Sequence, residues 1–251
     1  MAIMQIDWPD APRNISAIST LRSGGVSLPP YDDGAGGGGF NLGIHVADNP
    51  VHVQQNRARL RQLLPADPAW LTQIHGTTVL DAASVIDAPD ADASISTEAG
   101  VVCAILTADC LPILFSDVAG AVVGAAHAGW RGLAAGVLQQ TVAAMRLAGA
   151  SEIVAWLGPA IGPQQFEVGQ DVVDAFVTRD PHCATAFRPF TGRPGKYFAD
   201  IALLARQTLA TIGVERVAGG EQCTVTDRER YFSFRRDQQT GRMASLIWIN
   251  P

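Results

Sequence analysis

The 251-residue chain is short of lysine, histidine and tyrosine: Lys196 is its only lysine, beside five histidines and three tyrosines. The other cations are arginines, so a phosphate or carboxylate must be gripped by guanidinium forks or backbone amides. Five histidines with no His-x-His pair cannot furnish the several copper sites of a blue multicopper oxidase. Basic clusters are missing and the formal net charge is -6, which gives neither nucleic acid nor a membrane surface electrostatic support as a partner. No apolar run is long enough to span a bilayer, and the first residues lack a basic stretch followed by an apolar one. Cys103, Cys110, Cys183 and Cys223 have no CxxC spacing, so free thiols in a reducing cytoplasm are expected.

What is present suffices for a core. A chain of this size removes roughly 70–75% of its unfolded surface from water, so it needs neither disulfide nor metal to fold. Residues 15–20, 70–80, 101–107, 111–115, 121–127, 153–157 and 242–250 read as strands. Those at 101–107, 111–115 and 121–127 are short and apolar, as buried strands are. Asp48-Asn49-Pro50 supplies a polar cap and a first-turn proline for a helix from residue 51 to about 64, ended by Pro65. Residues 133–147 read as an alanine- and leucine-rich helix closed by Gly149. Two further helices are expected near 170–177 and 199–212. Residues 32–39 are glycine-rich and read as a mobile surface loop. No repeat or linker divides the chain, so residues 1–251 read as one α+β domain.

The chemistry concentrates in Thr107-Ala108-Asp109-Cys110-Leu111-Pro112 and His127-Ala128-Gly129-Trp130-Arg131-Gly132. Between them the apolar segment breaks at Ser116-Asp117, which reads as a hairpin turn and brings Cys110 beside His127. His75, in Gln73-Ile74-His75-Gly76, could complete a three-ligand site of the kind zinc uses when it keeps one position open. Two histidines and a cysteine also resemble the ligand set of a blue-copper centre. The same residues suit a nucleophile pair, with Cys110 as thiolate, His127 as base and Asp109 or another acid as the orienting group. Spacing alone leaves the two readings level.

The turn after His127 opens a helix, so free amides and Arg131 could hold an anion there. It is neither a Walker A loop nor a dinucleotide fingerprint. Arg22, beside Gly24-Gly25, is a second candidate clamp. His45 could face the site, whereas His52 and His182 read as helix and loop residues. Arg235-Arg236-Asp237 reads as a solvated or ion-paired segment.

With these residues assembled, the chain resembles the laccase-domain family, long labelled polyphenol oxidases and now associated with zinc-dependent purine nucleoside phosphorylase activity. The resemblance runs through Gly24-Gly25-Val26-Ser27-Leu28-Pro29-Pro30-Tyr31, Asn41-Leu42-Gly43, Asn56-Arg57, Gln73-Ile74-His75-Gly76 and Ala91-Asp92-Ala93. It continues through the two segments around Cys110 and His127, residues 157–162, Phe166-Glu167-Val168-Gly169, Cys223-Thr224, residues 232–237 and Thr240-Gly241-Arg242.

The resemblance implies that His75, Cys110 and His127 are catalytic metal ligands, with zinc as the cofactor and copper as an in vitro alternative. Arg22, Asn41 and Arg131 would then meet the substrate. It implies phosphorolysis of adenosine, inosine, guanosine and methylthioadenosine, accompanied by adenosine deamination. It also implies an α+β fold with β-sheets packed between helices. Two departures stand out: Leu21 replaces a small hydroxyl residue before Arg22, and residues 33–40 look like a glycine-rich insertion that could alter closure over substrate. A cysteine hydrolase acting on amide or peptidoglycan-precursor substrates is the main rival. A copper-dependent polyphenol oxidase is the older family label, and the histidine count argues against it.

Overall fold

The computed structural model describes residues 2–251. Two β-sheets lie face to face, and helices cover their outer surfaces. The five-stranded sheet has the order Ile3–Met4, Ile15–Thr20, Met243–Ile249, Val102–Thr107, Pro68–Ala69. The six-stranded sheet has the order Val217–Gly219, Ile153–Leu157, Leu111–Asp117, Val123–Ala128, Ala93–Ser96, Val79–Asp81. A small third sheet joins Glu167–Gly169, Lys196–Ala199 and Phe187–Pro189. Ile15–Thr20 pairs antiparallel with Met243–Ile249, so the two ends of the chain close one α+β domain.

Side-chain alternation along the strands sets this layering. Leu114 faces the six-stranded sheet's partner and packs with Cys103, Ile105, Val123, Trp156 and Ile247. Its neighbours Ile113 and Phe115 face the other way, against Leu138, Val142, Leu204 and Leu209 of the helices Val137–Leu147 and Ile201–Thr211. The outer face of the five-stranded sheet meets Leu60 of the helix Pro50–Arg61 through Ala104, Leu106 and Leu246. β-Sheets between helices is therefore the observed architecture.

Several boundaries differ from the sequence reading, each for a local reason. The strand at 111 runs through Ser116 to Asp117, so the turn falls at residues 118–120. Asp117 is buried because its carboxylate caps that turn, accepting the amides of Ala121 and Val122 at 2.7 and 2.8 Å. The helix expected at 133–147 is two helices, Trp130–Ala135 and Val137–Leu147, parted by Gly136 at φ 110°, a conformation that favours glycine. Most of residues 70–80 is loop, and only Val79–Asp81 is strand. The helix at 50 starts where expected, with the Asn49 side chain accepting the amide of Val51. The glycine-rich residues 34–37 are exposed, and Asp33 accepts the amides of Ala35 and Gly37 there. No helix among the described residues is long and apolar enough to cross a membrane.

Helix Ile201–Thr211 backs the six-stranded sheet and is capped by Asp200, whose carboxylate accepts the Leu203 amide at 2.9 Å. Asp200→Ala is expected to cost about 0.5–2 kcal/mol. Urea denaturation checks this, with a lower midpoint and an unchanged m value.

Candidate metal centre

Strands Leu111–Asp117 and Val123–Ala128 pair antiparallel with Pro112 opposite His127. Cys110, just ahead of the first strand, therefore emerges beside His127. His75 arrives from the 70–78 loop. The three ligand atoms, one from each of His75, Cys110 and His127, lie within 4.8 Å of one another. Cys110 Sγ is 3.7 Å from His75 Nε2, and the two imidazoles meet edge to face with centroids 4.8 Å apart. A tetrahedral ion with bonds of about 2.3 Å to sulfur and 2.0 Å to nitrogen would separate those two donors by about 3.5 Å. The donor set and its spacing fit a metal ion, and the group faces a cavity on its open side.

Two side chains fix the His75 loop. Gln73 docks on the edge of Val102–Thr107 like a missing strand: its amide nitrogen donates to Leu106 O and its oxygen accepts Leu106 N, both at 2.8 Å. Asp92, fully buried, accepts the amides of Ile74, His75 and Gly76 and the Nδ1–H of His127. An ionised carboxylate only accepts, so His127 carries its proton on Nδ1 and turns Nε2 toward Cys110. Sequence reading missed Asp92 as a site residue; it lies in a motif the resemblance quoted, but nothing local marks its reach to His127.

Asp109, the acid suggested as a partner for His127, is committed elsewhere. Its carboxylate accepts the Thr224 hydroxyl at 2.5 Å and the Arg235 amide at 2.6 Å. The orienting acid is Asp92.

The charges favour a deprotonated sulfur. Burial opposes ionisation of Cys110, but the charge of His127 and hydrogen bonds from His127 and His75 prevail, leaving the thiol below its usual range. Burial likewise opposes charging of His127, and Cys110 together with Asp92 reverses this and raises it. Burial alone would raise the Asp92 carboxyl; hydrogen bonds from His127, Gly76 and His75 hold it low.

The cavity has a volume of about 500 Å³. Its apolar walls include Leu106, Trp130, Ile161, Phe166 and Phe234, and its cations are Arg131, Arg235 and Arg242. Arg131 is exposed and stacks over Trp130 at 4.5 Å. Arg235 donates to Glu167 O, and Arg242 lies 5.9 Å over Phe234. Arg235 is solvent-exposed as expected but also lines the cavity, and Arg236 forms the expected ion pair, with Asp237 at 2.7 Å.

His45 also lines the cavity, and burial with the charges of Arg242 and Arg57 lowers its pKa. Arg22 and Asn41 lie behind the wall. Arg22 is 6% exposed and spends its guanidinium on the carbonyls of Asp32 and Arg228. Asn41 is buried and bonds Gly43, Asp48 and the Arg242 amide. Arg242 and Phe234 were legible only as motif letters, because the fold alone carries the C-terminal segment back to Cys110.

The fold and site together define a single-domain α+β protein with a His-Cys-His group, able to hold a metal ion, open to a cationic, aromatic cavity. Residues 16–250 match the family described as multi-copper polyphenol oxidoreductase laccase, and the chain belongs to that family. It is 52% identical over 245 residues to the purine nucleoside phosphorylase YfiH of Escherichia coli, covering 96% of each chain. A purine nucleoside phosphorylase of Pseudomonas aeruginosa is 51% identical over 245 residues, covering 97% of this chain and 96% of that one. Among solved structures, a Neisseria meningitidis protein superposes with a TM-score of 0.91 at 50% identity, covering 99% of both chains. YlmD from Geobacillus stearothermophilus gives 0.86 at 32% identity, covering 97% of this chain and 94% of its own.

Proposed function

We propose that this chain is a purine nucleoside phosphorylase with a zinc ion held by His75, Cys110 and His127. The observation that carries the reading is the convergence of those three donors in one cavity with Arg131, Arg235 and Arg242. A thiolate and two imidazoles suit zinc, and a bound zinc ion would supply Lewis-acid polarisation.

The chain's own groups divide the remaining work. The arginines hold phosphate by charge-assisted hydrogen bonds and present it to the anomeric carbon of the nucleoside. Phosphate oxygen bonds to that carbon as the bond to the purine nitrogen breaks, and the base leaves with the electron pair and is then protonated. Trp130, Phe166 and Phe234 offer apolar faces to the base and sugar. Neutral His45 offers a hydrogen-bonding group at the same wall. Arg131, which lines the cavity, is the arginine proposed to meet the substrate, and Arg22 and Asn41, which lie behind the wall, brace it.

Adenosine, inosine, guanosine and methylthioadenosine are the proposed nucleosides, with adenosine deamination as a parallel activity. The free thiols suit a cytoplasmic protein.

A cysteine hydrolase is the second reading, favoured by the Cys110–His127–Asp92 sequence of contacts and by the lowered thiol. Chromatography of adenosine and inosine incubated with metal-analysed protein, with and without phosphate, separates the readings. Phosphate-dependent release of adenine or hypoxanthine is expected. Inosine formed from adenosine without phosphate would mark the deaminase. Neither product with zinc bound would remove the nucleoside reading, and activity killed by thiol alkylation in metal-free protein would install the hydrolase.

A further inference from the structure

We propose that Asp92 is the positioning residue for both histidines of the metal centre, holding His127 through its ring and His75 through its backbone; this rests on the metal reading above. Each carboxylate oxygen accepts two hydrogen bonds. Oδ1 takes the Nδ1–H of His127 at 2.8 Å and the amide of His75 at 3.0 Å. Oδ2 takes the amides of Ile74 at 3.2 Å and Gly76 at 2.6 Å. A fully buried carboxylate is costly unless every lone pair finds a donor, and here four donors meet it.

The arrangement explains an otherwise strained residue. His75 has φ 61°, the left-handed region that non-glycine residues avoid at a cost of about 1–3 kcal/mol. That conformation turns three successive amides toward one point, an anion-binding nest whose anion is Asp92. The loop therefore curls around the carboxylate, and the His75 ring is carried to Cys110 as a result.

The His127 end is equally constrained. The His127 amide donates to the Asp92 carbonyl at 2.7 Å, and the flanking strands Ala93–Ser96 and Val123–Ala128 pair with Ala93 opposite Ala126. Sheet register thus sets the distance from Asp92 to the His127 ring. One carboxylate holds one ligand's tautomer and the other ligand's loop, so the two histidines are placed relative to each other before any ion arrives. Partners of this kind behind a metal-bound histidine are worth roughly 10–100-fold in metal affinity.

Asp92→Asn keeps the shape and removes the chemistry. If its oxygen replaces Oδ1, its NH2 faces the Ile74 and Gly76 amides and the loop must open. If the oxygen replaces Oδ2, the NH2 faces His127, which must move its proton to Nε2 and lose that lone pair as a ligand. Either way, zinc affinity measured by chelator competition is expected to fall at least about 10-fold, with near-ultraviolet circular dichroism retained. A folded Asp92→Asn protein with wild-type zinc affinity would overturn the proposal.

Amide exchange in the wild-type protein supplies a test that no variant can spoil by misfolding. The amides of Ile74, His75 and Gly76 are expected to be protected without zinc as they are with it. Fast exchange that slows only when zinc is added would assign the loop's order to the metal and overturn the proposal. A wild-type protein that takes up no zinc defeats the metal reading alone, since exchange in the metal-free protein still reports the hold of Asp92 on the loop.

Discussion

Cys110→Ala is expected to cost the protein its metal and its turnover together. The sulfur is the one anionic donor of the set, flanked by His75 Nε2 at 3.7 Å and by the buried His127. Two neutral imidazoles left behind would hold zinc more weakly by more than the roughly 10–100-fold that an outer partner contributes. Nucleoside turnover should fall in proportion to metal content. Atomic-emission analysis after dialysis, run beside the phosphorolysis assay, checks both. Phosphorolysis at the wild-type rate by a metal-free Cys110→Ala protein would sink the metal mechanism. Zinc retained at full occupancy with turnover gone would instead point to the sulfur as nucleophile, as the hydrolase reading requires. Metal retention should also weaken in acid, because all three donors must be deprotonated to bind.

Gly129→Ala is expected to be nearly as damaging although it adds one methyl group. Gly129 has φ -60° and ψ 151°, a backbone that alanine adopts freely, so the effect is steric and not conformational. The new carbon would stand 2.7 Å from His75 Cδ2 and 3.2 Å from Cys110 Sγ. The first distance is below any relaxed carbon contact, so the His75 ring must leave its place. With that ligand displaced, zinc affinity should drop by more than about 100-fold, while the loss of a glycine cap on the short helix costs about 1 kcal/mol or less. Chelator competition and thermal melting together separate these effects. A Gly129→Ala protein that binds zinc like the wild type would show that His75 is not a ligand in this pose.

Short strands, including the whole third sheet, escaped the hydrophobic pattern. It was enough to place six strands, Ile15–Thr20, Val102–Thr107, Leu111–Asp117, Val123–Ala128, Ile153–Leu157 and Met243–Ile249, together with the longer helices, and with them the hairpin that sets Cys110 against His127. That much is local physics: apolar residues at a period of two, a polar cap with a proline, glycines after a helix. The failures are equally physical. The 70–80 segment has a strand-like composition, yet the Gln73 side chain takes the backbone N–H and C=O of Leu106 and Asp92 accepts the amides of Ile74, His75 and Gly76, so His75 sits on a loop. Ser116-Asp117 looks like a turn because an aspartate seldom lies in a buried strand. Here its carboxylate is satisfied by the turn that follows.

The sequence by itself determined the α+β class, the reliance on arginine and which three side chains were candidates to hold a metal, while the packing of sheets between helices came with the family resemblance. Tertiary structure alone decided which acid serves the site, because Asp92 and Asp109 look alike in one dimension. Their carboxylates are told apart only by what folds against them, His127 and the 74–76 amides for one, Thr224 and Arg235 for the other. It also decided which arginines reach the cavity, bringing exposed Arg235 and half-buried Arg242 to its lining and sealing Arg22 behind the wall. The physical reason is the same in each case. Periodicity reports which face of an element meets the core, whereas a hydrogen-bond partner or a cavity neighbour is chosen by segments far apart in the chain.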